Sequence, residues 1–428
     1  MKTAYINIWN KRVGAVSWND ERKLGNFEFD PSFYTNNWDI SPIKLPIALR
    51  GQIFNFPELV GSTTYKGLPG LLADVLPDRY GNTLINTWLA RNGREPDSMH
   101  PVEMLCFTGN RGMGALEFEP VRPKSADNIT KIEISSLIEV AQDILNKRSS
   151  FYTSLSENEE KALTDILKVG TSAGGARAKA LIAYNEKTGE VRSGQATAPK
   201  GFEQWLIKFD GVHDTQFGES SGYGRVEMAY YHMAIACGIE MMESRLLEEN
   251  DRAHFMTKRF DRIDGKEKLH VQTWCAMEHK DFQNVGDYSY EELFQTMRAL
   301  GFPYPRAEQL FRRMVFNVMA RNCDDHTKNF AFTMDKSGLW DLSPAYDICH
   351  AYRPSSIWVS RQSLSINGKR EHFNRKDLLI LAEQMNIKKP NQLIEEVQES
   401  VNNWKKHAKE ADVGKKLTAA IQKTLLKL

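Results

Sequence analysis

The chain of 428 residues is too long for one hydrophobic core, so two or three packed units are expected. With 41% hydrophobic and 26% charged residues it has an ordinary globular composition, and a formal net charge of +1 excludes a global pull toward nucleic acid or an anionic membrane. The five cysteines (Cys106, Cys237, Cys275, Cys323 and Cys349) are scattered without a CxxC pair, which points to reduced thiols in a cytosolic setting.

The opening MKTAYINIWNKR has no long apolar run behind a basic tip, and no apolar stretch in the chain approaches the ~18 residues that cross a bilayer. A cytoplasmic protein with no membrane partner is the expectation. The first 30 residues alternate as strands, with Tyr5, Ile6, Ile8 and Trp9, a polar break at Asn10 and Lys11, and then Val13, Val16 and Trp18. Residues 76–90 turn helical, entered by Pro77 and Asp78 and closed near Gly93. The polar stretch 121–128 (VRPKSADN) reads as a joint. Helical patterns at 132–146 and 157–168 lead to a glycine-rich turn and two strand-like runs, AKALIAYN and FEQWLIKFD.

Next comes the clearest helix, where Val226, Ala229, Tyr230, Met233, Ala234 and Cys237 recur at the spacing of one buried face. HFMTKRFD reads as a further strand. Beyond about residue 285 helices dominate, among them 307–318 with Leu310, Phe311, Met314 and Val315 on one stripe. Asn374 and Asp377 form a capping start for a helix through Leu378, Leu381 and Met385. Strands first and helices after suit a small sheet lobe followed by a helical lobe.

Chemistry is densest in NCDDHTKNFAF (322–332), where Asp324 and Asn329 stand five apart and Asp347 follows 18 residues later in SPAYDI. Phosphoryl transfer from ATP needs one carboxylate to take or orient the proton of the attacking hydroxyl, and others to hold magnesium at the β and γ oxygens. An Asp, an Asn five residues on and a second Asp beyond a hairpin meet that need. FAFTMDKSGLWDL reads as such a hairpin, turning at 336–338, and Asn329 and Asp347 supply the hard oxygens magnesium prefers. As polar loop residues, Asp324, Asp325 and Asn329 would merely cap a helix end. Phe330 and Phe332 argue otherwise, because they pin the loop to a core.

In VGTSAGGARAK (169–179), Gly170, Gly174 and Gly175 allow the backbone to approach a phosphate, although no GK[ST] follows to make a Walker loop. Lys208 lies in the strand QWLIKFD among apolar residues and needs a partner. It is either an edge lysine or a ligand of the α and β phosphates held by a glutamate, with Glu227 and Glu219 as candidates. TKRFDR (257–262) offers Phe260 to cover adenine and Asp261 to accept from ribose hydroxyls.

Taken in this order, the fragments resemble the HipA family of bacterial kinases over nearly the entire chain. LLADVLPDRYGN (71–82) and GNRGMGALEF (109–118) look like that family's N-terminal subdomain, GTSAGGARAKALI its phosphate loop, TKRFDR its hinge, and 322–348 its catalytic and metal segments. The resemblance implies an α+β, protein-kinase-like two-lobe fold with an extra N-terminal β-rich subdomain at 1–125. A small lobe would span 126–260, and a helical large lobe 261–428.

The resemblance further implies a Ser/Thr protein kinase using ATP and Mg2+. Asp324 would be the catalytic base, Lys208 the ATP lysine, and Asn329 and Asp347 the magnesium ligands. Gly174, Gly175, Ala176, Phe260, Asp261 and Lys328 would contact the nucleotide. Family members carry a loop serine whose phosphorylation silences the kinase, as a dianion beside the γ-phosphate pocket would repel ATP. Here Thr171 falls at that place with Ser172 beside it, and Ala176 and Arg177 replace a glutamine–glutamate pair of some members.

The implied partners are a small helix-turn-helix, HipB-like antitoxin, operator DNA through that antitoxin, and a protein substrate such as an aminoacyl-tRNA synthetase. The N-terminal third is either part of the antitoxin interface or a brace for the small lobe. Two other readings compete. Asp324, Asp325 and His326 would serve a metal-dependent phosphoesterase or nuclease, or the chain would be a catalytically silent, kinase-like co-repressor.

Overall fold

The alternation near the N-terminus becomes three consecutive strands, β1 (Thr3–Ile8), β2 (Lys11–Asn19) and β3 (Leu24–Phe29). The computed structural model describes residues 2–120, 134–145, 178–194, 198–212, 222–265 and 267–428. They fall into two units. The first comprises Met1–Ser221, Leu247–Gln272 and Met334–Gly338, and the second Gly222–Leu246, Thr273–Thr333 and Leu339–Leu428. The expected joint at 121–128, the helical pattern at 157–168 and the boundary at 125 lie outside the described residues.

In the first unit, β4 (Ile53–Phe54) and β5 (Leu116–Glu119) complete an antiparallel sheet in the order β4-β3-β2-β1-β5. Ala4, Ile6 and Ile8 of β1, Val16 and Trp18 of β2, and Phe27 and Phe29 of β3 are buried, as the period of two dictates for a half-covered sheet. Three helices lie between β4 and β5: α1 (Gly70–Ala73), α2 (Arg79–Arg91) and α3 (Pro101–Thr108). The last of these packs on β1, β2 and β5. Asp78 caps α2 by accepting from Gly81 N at 2.7 Å, and α4 (Ile134–Leu145) packs on α2.

A second antiparallel sheet, ordered β7-β6-β8-β10-β9, contains β6 (Lys179–Tyr184), β7 (Val191–Ser193), β8 (Glu203–Lys208), β9 (Ser244–Glu249) and β10 (Arg252–Lys258). Residues 179–183 are buried without alternation, so β6 is covered on both faces. After it come a short ribbon of β11 (Arg262–Ile263) and β12 (Glu267–Lys268), and then β13 (His270–Thr273).

Helices make most of the second unit. The amphipathic pattern at 226–237 becomes α5 (Tyr223–Ala236). Then come α6 (Trp274–Glu278), α7 (Tyr290–Ala299), α8 (Tyr304–Met319), α9 (Arg375–Gln384), α10 (Pro390–Asn402), α11 (Trp404–Glu410) and α12 (Lys415–Gln422). α10 and α11 pack on α5, and α8 packs on α7 and α10. Asn374 and Asp377 form the expected capping box on α9. The hairpin at 330–342 forms as β14 (Ala331–Met334) and β15 (Trp340–Leu342), its turn closed by Gly338 N on the Asp335 carbonyl at 3.0 Å.

Candidate active site

The chain leaves α8 through Ala320, whose carbonyl is held by the buried Tyr230 hydroxyl at 2.6 Å. Asn322 then bridges to Ala351, with Cys323 N on the Ala351 carbonyl at 3.0 Å and Ala351 N on the Arg321 carbonyl at 3.1 Å. The next two residues share a chemistry and differ entirely in surroundings. Asp324 exposes 49% of its side chain, with His326 Nε2 3.7 Å from its carboxylate. Asp325 is buried and accepts from the Tyr290 hydroxyl at 2.7 Å, Gln362 Nε2 at 3.1 Å and Ser363 N at 2.6 Å. Burial pushes its carboxyl up to about 6, against the pull of those same hydrogen bonds. Asp325 therefore anchors the loop, and Asp324 is the carboxylate open to a reactant.

Residues 327–329 close a 3₁₀ turn, with Asn329 N on the His326 carbonyl at 2.9 Å. Asn329 Nδ2 donates to the Asp324 carbonyl at 2.6 Å, which leaves its Oδ1 as an acceptor. Lys328 Nζ rests 5.2 Å from the centre of the Phe282 ring. The Tyr346 hydroxyl donates to the Lys328 carbonyl at 2.7 Å and ties the 343–348 segment to this turn. Asp347 follows at once, half-buried and with φ +55, a left-handed backbone that aspartate adopts more readily than most non-glycine residues.

Asn329 and Asp347 thus sit on two segments joined by one hydrogen bond. An amide carbonyl and a carboxylate, both half-exposed, suit magnesium, which keeps its other positions for water and phosphate oxygens. Among the described residues no group of three or more His, Cys, Asp or Glu is arranged to hold a metal. The phosphoesterase reading needs Asp325 as a ligand, and both of its oxygens are taken up in the core.

The remaining candidates lie in the first unit. Lys208 ends β8, opposite Lys179 of β6 on one side and Phe255 of β10 on the other, with its Nζ 5.9 Å from the Phe255 ring centre. It shares the half-buried face of β8 with Leu206. Lys179 is buried, its Nζ 3.4 Å from the Asp78 carboxylate. Phe260 is half-buried just past β10.

Asp261 departs from expectation. It is fully buried, with Oδ1 accepting from Arg259 Nε at 2.9 Å and Oδ2 accepting from Arg259 Nη2 at 2.8 Å, Arg262 Nη1 at 2.6 Å and Gly114 N at 2.7 Å. Burial alone would raise its pKa, but the two guanidiniums reverse that and hold it well below the carboxylate range. Both oxygens are committed, so its carboxylate is a structural centre and a ribose contact is not assigned to it. Gly114, at φ +78, is where the turn must approach closely, since a Cβ there would meet Val271 N at 3.0 Å.

The structure thus brings Asp324, Lys328, Asn329 and Asp347 together in the second unit, while Lys208, Phe260 and Asp261 belong to the first. Thr171, Ser172, Gly174, Gly175 and Ala176 lie outside the described residues, as does Glu219; Glu227 is buried in α5 of the second unit. Sequence reasoning missed the anchoring role of Asp325, the Tyr346 tie and the Asp78–Lys179 pair.

The model of the HipA N-terminal domain matches residues 4–119, and that of the HipA-like C-terminal domain matches residues 171–405. Among solved structures, HipA in the Shewanella oneidensis MR-1 toxin–antitoxin complex of HipA, HipB and operator DNA superposes with a TM-score of 0.66. That alignment has 16% identity and covers 98% of this chain and 94% of that one. The Helicobacter pylori proinflammatory kinase CtkA aligns with a TM-score of 0.32 at 13% identity, over 52% of this chain and 90% of that one. No curated protein sequence matches the chain.

Proposed function

The chain belongs to the HipA family and has its mixed α/β, protein-kinase-like fold, and from that premise we propose that it is an ATP-dependent Ser/Thr protein kinase acting as the toxin of a type II toxin–antitoxin pair. The observation that carries this reading is the arrangement of Asp324, Asn329 and Asp347 on two segments joined by the Tyr346–Lys328 hydrogen bond. Asp324 orients the attacking hydroxyl and accepts its proton, open to solvent beside an anchored neighbour. Asn329 Oδ1 and the Asp347 carboxylate would hold Mg2+, which would supply charge neutralisation to the phosphates. Lys328 adds positive charge next to the reacting group. In the first unit, Lys208 binds the α and β phosphates, while Lys179 opposite it is already paired with Asp78. Gly174, Gly175 and Ala176 supply backbone N–H groups to the phosphates, Phe260 covers the base, and Thr171 or Ser172 takes the silencing phosphate.

A HipB-like antitoxin, and operator DNA through it, are the partners by analogy with the Shewanella assembly. The substrate is a component of translation such as an aminoacyl-tRNA synthetase, met in the cytoplasm. Among the described residues no helix is long and apolar enough to cross a membrane.

The test is intact mass after incubation with ATP and Mg2+, beside an Asp324→Asn variant and after phosphatase pretreatment. Wild type should gain one or two phosphates and the variant none, with peptide mapping separating Thr171 from Ser172. No gain together with no ATP binding would sink the kinase reading. ATP binding without any phosphate transfer to itself or to a protein would favour the silent co-repressor.

A further inference from the structure

Between the metal segment and α9 the chain makes an excursion, residues 352–361, fastened at both ends to the catalytic loop. On the incoming side Ala351 is paired with Arg321 and Cys323 through its backbone. On the outgoing side Gln362 Nε2 donates to the Asn322 carbonyl and the Asp325 carboxylate, each at 3.1 Å, while its Oε1 accepts from Cys323 Sγ at 2.8 Å. Ser363 adds its N–H to Asp325 at 2.6 Å and its hydroxyl to the Cys323 carbonyl at 3.1 Å. The groups that grip the excursion are therefore the immediate neighbours of Asp324 on either side.

The excursion itself is a closed turn. Arg353 N donates to the Val359 carbonyl at 3.1 Å, and Ser356 Oγ accepts from Trp358 N at 3.2 Å and Val359 N at 3.3 Å. What it presents is apolar: Ile357 is 82% exposed and Trp358 36% exposed. Its charge is net positive. From Ile348 to Glu371 the chain carries Arg353, Arg361, Lys369 and Arg370 against one acid, Glu371, which lies 3.5 Å from Arg361 in an exposed pair, while Lys369 is held by Asp377 at 2.6 Å. Arg370 feels this, its pKa lowered first by burial and then by the charge of Arg361. An ordered turn that holds isoleucine and tryptophan in water within a basic rim has the chemistry of an interface anchor.

We propose that residues 353–361 are a docking element for the protein substrate, recognising a segment in which an apolar residue is flanked by carboxylates. Ile357 and Trp358 take the apolar residue, Arg353 and Arg361 take the acids, Arg361 by exchanging its weak exposed pair with Glu371, and the clamp at 351 and 362–363 sets the docked segment beside Asp324. The inference rests on the kinase reading for the phosphoryl transfer to a docked segment, whereas docking itself is measurable without turnover.

The experiment uses the full chain carrying Asp324→Asn and two labelled synthetic peptides. One has a single serine between leucines and glutamates, and in the other lysines replace the glutamates. By fluorescence anisotropy the acidic peptide should bind about tenfold or more tightly than the lysine peptide. Ile357→Ser with Trp358→Ser should weaken that binding about tenfold, and Arg353→Glu with Arg361→Glu should invert the preference. Equal binding of the two peptides, or no effect of either pair of substitutions, overturns the proposal. So does a loss confined to a labelled DNA duplex or to anionic vesicles. ATP affinity, read in parallel with a fluorescent nucleotide, should not change in the tip variant. A protein that docks the acidic peptide yet binds no ATP sinks the kinase reading alone; one that binds ATP and ignores the peptide sinks the docking reading alone.

Discussion

Replacing Asp325 by alanine should unfold the loop that carries Asp324, the base of the proposed kinase. The substitution strands three buried donors, the Tyr290 hydroxyl, Gln362 Nε2 and Ser363 N–H. An unsatisfied buried group costs about 1–3 kcal/mol, so a loss of roughly 3–6 kcal/mol is expected once the burial cost of the ionised carboxylate is relieved. Urea unfolding at pH 7, followed by tryptophan fluorescence, measures it. The carboxyl also has a signature in pH, since it titrates at about 6 in the fold and near its ordinary 3.8 when unfolded. The folded state binds the proton more tightly, so this group's contribution is fully present below 3.8 and is lost as the pH rises through 6. That difference corresponds to about 3 kcal/mol. Asp325→Asn has no proton to bind, and the wild-type-minus-variant stability should fall by about that amount between pH 4 and pH 7. A loss below about 1 kcal/mol in the alanine variant, or a difference curve flat across this window, would refute the reasoning.

Asn329→Ala should leave the melting temperature nearly unchanged while raising the Mg2+ concentration for half-maximal phosphorylation at least about tenfold, read from a magnesium titration. Asp78→Ala removes both the cap of α2 and the partner of buried Lys179. A destabilisation of about 3–5 kcal/mol is expected, and adding Lys179→Met should recover most of it in the same denaturation assay. Asp261→Asn should cost a similar ~3–5 kcal/mol, because Arg259 and Arg262 are then left beside each other with only Glu117, already held by Lys268, as a countercharge; differential scanning calorimetry checks this.

The parts legible in the sequence are those whose physics is local. Alternation places β1 and β2, and the Asn374–Asp377 capping box needs only its own turn. The spacing of Asp324, Asn329 and Asp347 marks a candidate site because a turn and a hairpin set the geometry. Asp325 illustrates the limit. Nothing beside it separates it from Asp324, and its fate is decided by Tyr290 and Gln362, 35 and 37 positions away. Asp261 is similar. Arg259 and Arg262 stand in the same hexapeptide, but the Gly114 N–H that completes its shell comes from 147 residues upstream. β7 has three residues, too few for any period to register.

The matched N-terminal and C-terminal domains meet across residues 120–170, which invites treating the first 120 residues as a detachable cassette. The bonds of the first unit argue against it. Asp78 neutralises Lys179, Trp9 Nε1 donates to the Lys268 carbonyl at 2.6 Å, and His270 Nε2 bonds the Ile40 carbonyl at 2.9 Å. Arg262 donates to the carbonyls of Gly112 and Gly114 at 3.2 and 3.1 Å. A truncation at the joint would leave two guanidiniums and a carboxylate packed for a turn that is gone. A chimera between distant relatives would survive only if the 112–114 turn and the 259–262 triad were exchanged as one set.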